Sequence, residues 1–302
     1  MPTPAPQERL DQLRLAMGQA ARALQAELCA ALERLDGLGR FRSDAWERPG
    51  GGGGLSRVLE EGAVLEKAGV NVSEVWGEVP PALASRVQGA GGTFAAVGLS
   101  AVIHPQSPLV PTAHANIRFL HRGGAGWFGG GADLTPHYLF EEDARHFHAV
   151  LRDACEQHEA GSYVRHKRTA DDYFYLRHRG ERRGVGGIFF EDLGGDLERE
   201  LAFAQAVGRA FLAAYLPIVE RRKDLPWGEA ERRWQEVRRG RYVEFNLLFD
   251  RGTTFGLETG GRTESILMSL PPRVRWAYDH HPSPGSREAA LVEVLRTPRE
   301  WA

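Results

Sequence analysis

The chain has 302 residues, 42% of them hydrophobic and 26% charged, and its 38 Lys and Arg against 40 Asp and Glu leave a formal net charge of −2. That balance excludes a disordered chain and a generally basic nucleic-acid binder, and the length is enough to bury a large core. Glycine is the outlier: 36 residues, about 12% against a usual figure of about 7%, with half of them in short runs at 50–54, 91–92, 123–124, 129–131, 186–187, 194–195 and 260–261.

The N-terminal segment has neither a charged leader nor an apolar stretch of signal-peptide type. Residues 8–35 then carry Leu10, Leu13, Met17, Ala20, Leu24, Leu28 and Leu35 at a helical period, ended by Gly37 and Gly39. Runs at 93–103 and 114–120 read as strands. A helix follows at 140–158, with Ala144, His148, Leu151 and Cys155 on one stripe. Further strands are expected at 173–178 and 186–191. Asp196 opens a helix that should end at Leu216 before Pro217, and another covers 227–239 up to Gly240. Tyr242 to Leu247 alternates at period two, so 242–249 reads as a strand, as does 264–270. Strands that follow one another without helices between them argue for an α+β fold, a large mostly antiparallel sheet packed by helices in one domain. The longest apolar stretch, near Phe211–Val219, is too short for a membrane span. Two cysteines, Cys29 and Cys155, exclude a disulfide framework and an iron–sulfur cluster, and suit a reducing cytoplasm.

Two skews stand out. Only three of the 38 basic residues are lysine, which either reflects genomic base composition or serves carboxylate binding. Nine of the 11 histidines fall between His104 and His178. Within that span, His114, Asn116 and Arg118 alternate with Ala115, Ile117 and Phe119, so the three polar residues share one strand face. This reads either as a solvent-facing stripe or as a ligand-reading surface. Ser100 and His104 share a face of the preceding strand, where His104 would approach His114, and His148 and His178 could join them. Four imidazoles suit a transition metal or a proton donor, although each alone also suits a plain structural role. Trp127 to Pro136 carries three glycines before Asp133, which reads as a flexible loop presenting an acid or as a turn with a capping Asp. Gly260 and Gly261 place Arg262 on a tight turn. There is no phosphate-binding Gly-Lys-Ser/Thr ending after Gly54, nor a dinucleotide fingerprint between a strand and a helix.

Taken together, Gly51–Arg57, Glu66–Ser73, His104–Gln106 with Pro111–Arg118, Trp127–Pro136, Asp172–Tyr175, Arg183–Phe190, Arg241–Asn246 and Thr259–Pro272 resemble the oxygen-dependent coproporphyrinogen III oxidase family, in its order, from about residue 45 to Trp301. The resemblance implies a catalytic domain over 41–302 behind an N-terminal helical extension, 1–40. It also implies oxidative decarboxylation of two propionates of coproporphyrinogen III to vinyl groups, giving protoporphyrinogen IX. O2 would be co-substrate, with no haem, flavin, NAD or iron–sulfur cluster. The rival readings are a metal-dependent hydrolase and a non-enzymatic tetrapyrrole carrier.

Residue by residue, the resemblance makes Ser100, Asn116, Arg118, Gly260, Gly261 and Arg262 substrate contacts and His114 a proton donor. Asp133 would be an acid holding pyrrole N–H groups, and His104, His114, His148 and His178 would be ligands of a divalent metal, manganese by expectation. It also implies a homodimer through about Tyr242–Ala277, with no nucleic-acid partner and no membrane span. Ala170 departs from the family pattern, which often has Cys there.

Overall fold

The computed structural model describes residues 6–79, 89–258 and 260–302. Among these, α1 (Pro6–Asp36) leads into six strands: β1 (Arg42–Glu47), β2 (Gly52–Glu60), β3 (Leu65–Glu78), β4 (Thr93–Pro105), β5 (Thr112–Arg122) and β6 (Ala125–Thr135). Helices α2 (Glu141–His158) and α3 (Ser162–Tyr173) follow, then the small pair β7 (Tyr175–Leu176) and β8 (Glu181–Arg182), and β9 (Gly186–Leu193). The chain ends with α4 (Leu197–Arg222), α5 (Glu229–Leu248), α6 (Arg251–Glu258), α7 (Thr263–Leu267) and α8 (Arg287–Arg296). Seven strands form one antiparallel sheet in the order β1-β2-β3-β4-β5-β6-β9. The α+β single-domain expectation holds.

The two faces of the sheet differ because alternate residues on each strand do. Val70, Val72, Leu99, Ala101, Ala115, Ile117, Ala132 and Ile188 are buried with Leu24 and Leu28 of α1 and Phe203, Val207 and Phe211 of α4 in one core. The leading helix therefore belongs to the main core. The opposite face carries the polar side chains and is partly roofed by α5 and α7. Ser265 Oγ lies 2.8 Å from Ser56 Oγ, and Met268 lies against Gly69. Buried Glu66 pins α5 to the start of β3 by accepting from Arg239 at 2.5 Å and Arg232 at 3.0 Å.

Several sequence expectations change. Helix α4 does not stop at Pro217 but continues to Arg222. The ring of Pro217 denies the Ala213 carbonyl its helical donor, and His146 Nε2 lies 3.2 Å from that oxygen. With this extension α4 is long and apolar enough to cross a membrane by length and composition, against the shorter stretch read from sequence; 56% of its apolar window is buried in the fold. Residues 242–248 are not a strand but the end of α5, and 264–267 belong to α7. Tyr242, Val243, Phe245 and Asn246 are all buried, so α5 is covered around most of its circumference and a period of two appears by chance. Gly240 does not stop the helix: a Cβ there would meet the Arg275 carbonyl at 3.0 Å, so the glycine serves close packing. The strand expected at 173–178 shrinks to β7 because α3 runs through Tyr173. The segment 127–136 is strand β6 rather than a flexible loop. The turn before Arg262 joins two helices rather than two strands, with Gly260 at φ +67° and Thr259 outside the described residues.

Asp36 ties α1 to the β2–β3 turn. Its carboxylate accepts from the backbone N–H groups of Leu38, Gly39, Ala63, Val64 and Leu65 at 2.6–3.3 Å. Burial pushes this carboxyl up, but the hydrogen bonds from Gly39, Leu65, Val64 and Ala63 outweigh it and hold the group below the usual carboxylate range. Asp36→Ala should lower the unfolding free energy by about 3 kcal/mol, since several buried donors lose their acceptor, as read from urea denaturation at pH 7. With the folded pKa below the unfolded value of about 3.9, this contribution is complete above that value and disappears as the pH falls through the folded one.

Candidate active site

In an antiparallel sheet, residues in direct register share a face. One row therefore crosses the whole sheet: Asp44, Ser56, Asn71, Ser100, Asn116, Gly131 and Phe189. The next row on that face, two residues along, holds Trp46, Gly54, Ser73, Gly98, Arg118 and Gly129. The row on the other side holds Gly69, Val102, His114, Asp133 and Gly187. Asn71, Ser73, Ser100, His114, Asn116 and Arg118 are all half-buried, so they line a partly open polar cleft. The stripe read from sequence is thus confirmed as one face of β5, within a sheet whose polar face is unusually thin. A Cβ on Gly129 would come within 3.1 Å of the Arg118 guanidinium, and one on Gly54 would strike the Trp46 ring. These glycines let large side chains lie flat against the strands.

The sequence-derived pair His114 and Asp133 comes together. His114 Nδ1 donates to Asp133 Oδ1 at 2.8 Å, and Nε2 has no hydrogen-bond partner among the described residues. Asp133 is buried, and its second oxygen accepts from Arg183 Nη2 at 2.6 Å. Both carboxylate oxygens are therefore engaged within the chain, and Asp133 stands on strand β6 rather than on a loop. Burial pushes the Asp133 carboxyl up, but Arg183 and then His114 outweigh it and hold it below the usual range. Arg183 was not singled out from sequence. Its guanidinium lies 4.4, 4.5 and 4.8 Å from the ring centroids of Phe174, Tyr242 and Phe245, and donates to Asn246 Oδ1 at 2.8 Å. The signal for it was its place in a motif with no other reason to hold a charge.

Ser100 and Asn116 are cross-strand partners, and Asn116 Oδ1 accepts from Arg118 Nη1 at 2.6 Å. Arg118 also pairs with Glu191 of β9. Arg262 lies at the outer end of the same face: with Gly260 and Gly261 it is on the α6–α7 connection, and it pairs with Asp44 of the edge strand β1 at 2.5 Å.

The four histidines are not gathered into a metal centre. His104 stands two residues beyond Val102, the cross-strand partner of His114, and its ring nitrogens face Thr112 Oγ1 at 3.3 Å and the Ser269 carbonyl at 2.8 Å. His148 lies between Tyr163 OH and the Val185 carbonyl, at 2.9 and 3.0 Å, and burial pushes it down to about 3. His178 pairs with Glu244 at 2.8 Å beside Arg179. Each ring has its own protein partner on a different element, so these residues do not fit a four-histidine manganese site within the chain. Among the described residues, no group of three or more His, Cys, Asp or Glu is placed to hold a metal ion.

The coproporphyrinogen III oxidase family model matches residues 16–301, and the chain belongs to that family. It is thus a member of an enzyme family of oxidoreductases, with coproporphyrinogen III as substrate and a role in porphyrin biosynthesis.

The Asp133–Arg183 pair makes a stability test. Arg183→Met should cost about 3–5 kcal/mol by leaving a buried carboxylate with His114 alone. Arg183→Met with Asp133→Leu should recover part of that loss in denaturant titrations.

Proposed function

We propose that this chain is the oxygen-dependent oxidase of its family, converting two propionate side chains of coproporphyrinogen III to vinyl groups. The observation that carries the proposal is the β5 face, where a carboxylate-binding guanidinium and a backed imidazole stand four residues apart. At the usual rise of a strand, His114 and Arg118 are separated by about 13 Å, a span on the scale of a tetrapyrrole with its side chains. Arg118 binds a propionate as a planar donor, while Ser100 and Asn116 offer neutral hydrogen bonds beside it. Arg262 serves the same purpose from the far side of the cleft.

The chemistry has a definite balance. Each –CH2–CH2–COO− side chain becomes –CH=CH2 by losing CO2, one β-hydrogen and two electrons. Two such conversions take up two protons and reduce one O2 to two waters. In this reading His114 delivers or relays those protons through Nε2, because Asp133 fixes the proton on Nδ1 and orients the ring. Asp133 acts through His114, and Arg183 acts through Asp133. The chain's own residues supply binding, orientation and proton handling, and O2 supplies the oxidant without haem, flavin or nicotinamide. A reducing compartment suits the two buried thiols, Cys29 and Cys155, which burial pushes up to about 11 and about 12. A homodimer through 242–277 is part of the proposal, supported by Leu247, Leu248, Leu257 and Trp276, which are exposed large hydrophobic residues of that segment.

The test supplies coproporphyrinogen III to the protein with and without O2, following vinyl product and CO2. Product that forms only with O2 supports the oxidase. Turnover that continues without O2 overturns it, and a ligand returned unchanged in air favours a carrier. His114→Ala should lower the aerobic rate by about 10²- to 10⁴-fold while coproporphyrin still binds. A rate close to that of the parent protein removes His114 from the proton path.

A further inference from the structure

Glu191 has no role in the chemistry above, yet the fold goes out of its way to place it. Between Phe128↔Leu193 and Gly130↔Phe190 the β6–β9 register shifts, because β9 carries one residue more than its partner. Asp192, in that extra stretch, has φ +60°, a left-handed conformation that asparagine and aspartate tolerate better than most side chains. Bulges re-aim side chains beside functional sites, and this one delivers Glu191 to two cations. One carboxylate oxygen pairs with Arg118 Nη2, and the other lies 2.7 Å from Arg251 Nη2. The Glu191 side chain keeps 26% of its exposure, and the bridge faces the cleft rather than the core.

Arg251 is anchored through its backbone, while its side chain keeps 59% of its exposure. It opens α6 next to Asp250, whose carboxylate accepts from the Thr253 N–H at 2.7 Å and from Tyr173 OH at 2.8 Å. Tyr173 OH in turn accepts from the Arg251 backbone N–H at 3.1 Å. The Arg251 guanidinium lies 4.9 Å from the centroid of the Tyr173 ring, which stacks on Phe189 at 4.2 Å. Phe189 ends the row that runs through Ser100 and Asn116. Two guanidinium groups thus converge at one end of the substrate face, with a single carboxylate between them.

We propose that Arg118 and Arg251 together form a subsite for one substrate carboxylate, and that Glu191 is the chain's own carboxylate standing in that subsite. A propionate takes its position as Glu191 turns outward to solvent. With Glu191 between them the three side chains carry one net positive charge. Without it the pair carries two, so the site favours a ligand bearing an additional carboxylate. Arg251 is then a specificity-determining residue for the carboxylate count of the ligand, and Glu191 weakens every anion that must displace it. The inference rests on the reading of this cleft as the porphyrinogen site.

The experiment measures fluorescence-detected binding of coproporphyrin III, with four carboxylates, and protoporphyrin IX, with two, to the full chain and its variants. Arg251→Gln should weaken coproporphyrin binding by about five- to tenfold, the loss of one charged hydrogen bond, with a smaller effect on the dicarboxylate. Glu191→Gln should instead tighten coproporphyrin binding several-fold, and the gain should vanish in the Glu191→Gln/Arg251→Gln double variant. Weaker or unchanged binding in Glu191→Gln overturns the proposal, because Glu191 would then only brace Arg118. Arg118→Gln separates the two levels. If it leaves coproporphyrin binding intact, the cleft itself is misread. If it weakens binding while the Arg251 and Glu191 variants do nothing, only the shared subsite fails.

Discussion

The carboxylate of Asp133 is a charge removed from water, and much of the site is arranged around compensating it. A buried carboxylate without partners is unstable by several kcal/mol. Here one oxygen takes the Nδ1 proton of His114 and the other takes Arg183. Arg183 brings its own demand, since it too is buried, and it is met by three aromatic rings and by Asn246. Phe174 follows α3, Tyr242, Phe245 and Asn246 come from α5, and Asp133 and His114 come from neighbouring strands. One electrostatic requirement thus ties the sheet to two helical elements, and leaves Nε2 of His114 without a hydrogen-bond partner among the described residues.

The antiparallel register carries this local arrangement across the sheet. Because paired residues share a face, polar side chains at Asn71, Ser100 and Asn116 fall into one line, and Gly54, Gly98 and Gly129 into the adjacent one. The arginine excess also separates into roles. Arg183 and Arg239 are buried partners of Asp133 and Glu66 and hold the fold together, whereas Arg118, Arg251 and Arg262 pair with carboxylates at the cleft or its rim. Under the proposed function, the cleft arginines are the ones that exchange their carboxylate partners for substrate.

What the sequence disclosed follows from how far each signal reaches. The alternation in 114–120 reports one strand with two unlike faces, so the shared face of His114, Asn116 and Arg118 was legible, as was the leading helix with its single apolar stripe. β2 was missed because it opens on three glycines, whereas β3 was overlooked even though Ala68, Val70 and Val72 alternate with Lys67, Gly69, Asn71 and Ser73. The end of α5 was misread because a helix buried around most of its circumference has no polar face to set its period. Pro217 misled for a different reason, since the break it should cause is relieved by His146, which is distant in sequence. The four histidines looked like one cluster because they are close in sequence, but each is held by its own hydrogen-bond partner on a different element. Arg183 and Glu191 were invisible as functional residues because their partners are between 50 and 73 positions away.

The central claim is that Asp133 acts on the reaction through the orientation and charge of His114. Asp133→Asn keeps the shape of the side chain while removing the carboxylate that selects the His114 tautomer. The decisive measurement is therefore the single-turnover rate of vinyl formation in air by this variant, with coproporphyrin affinity as the check on folding. The account predicts a fall of about 10³- to 10⁴-fold with binding retained. A rate within about threefold of the parent protein, at equal affinity, would contradict it.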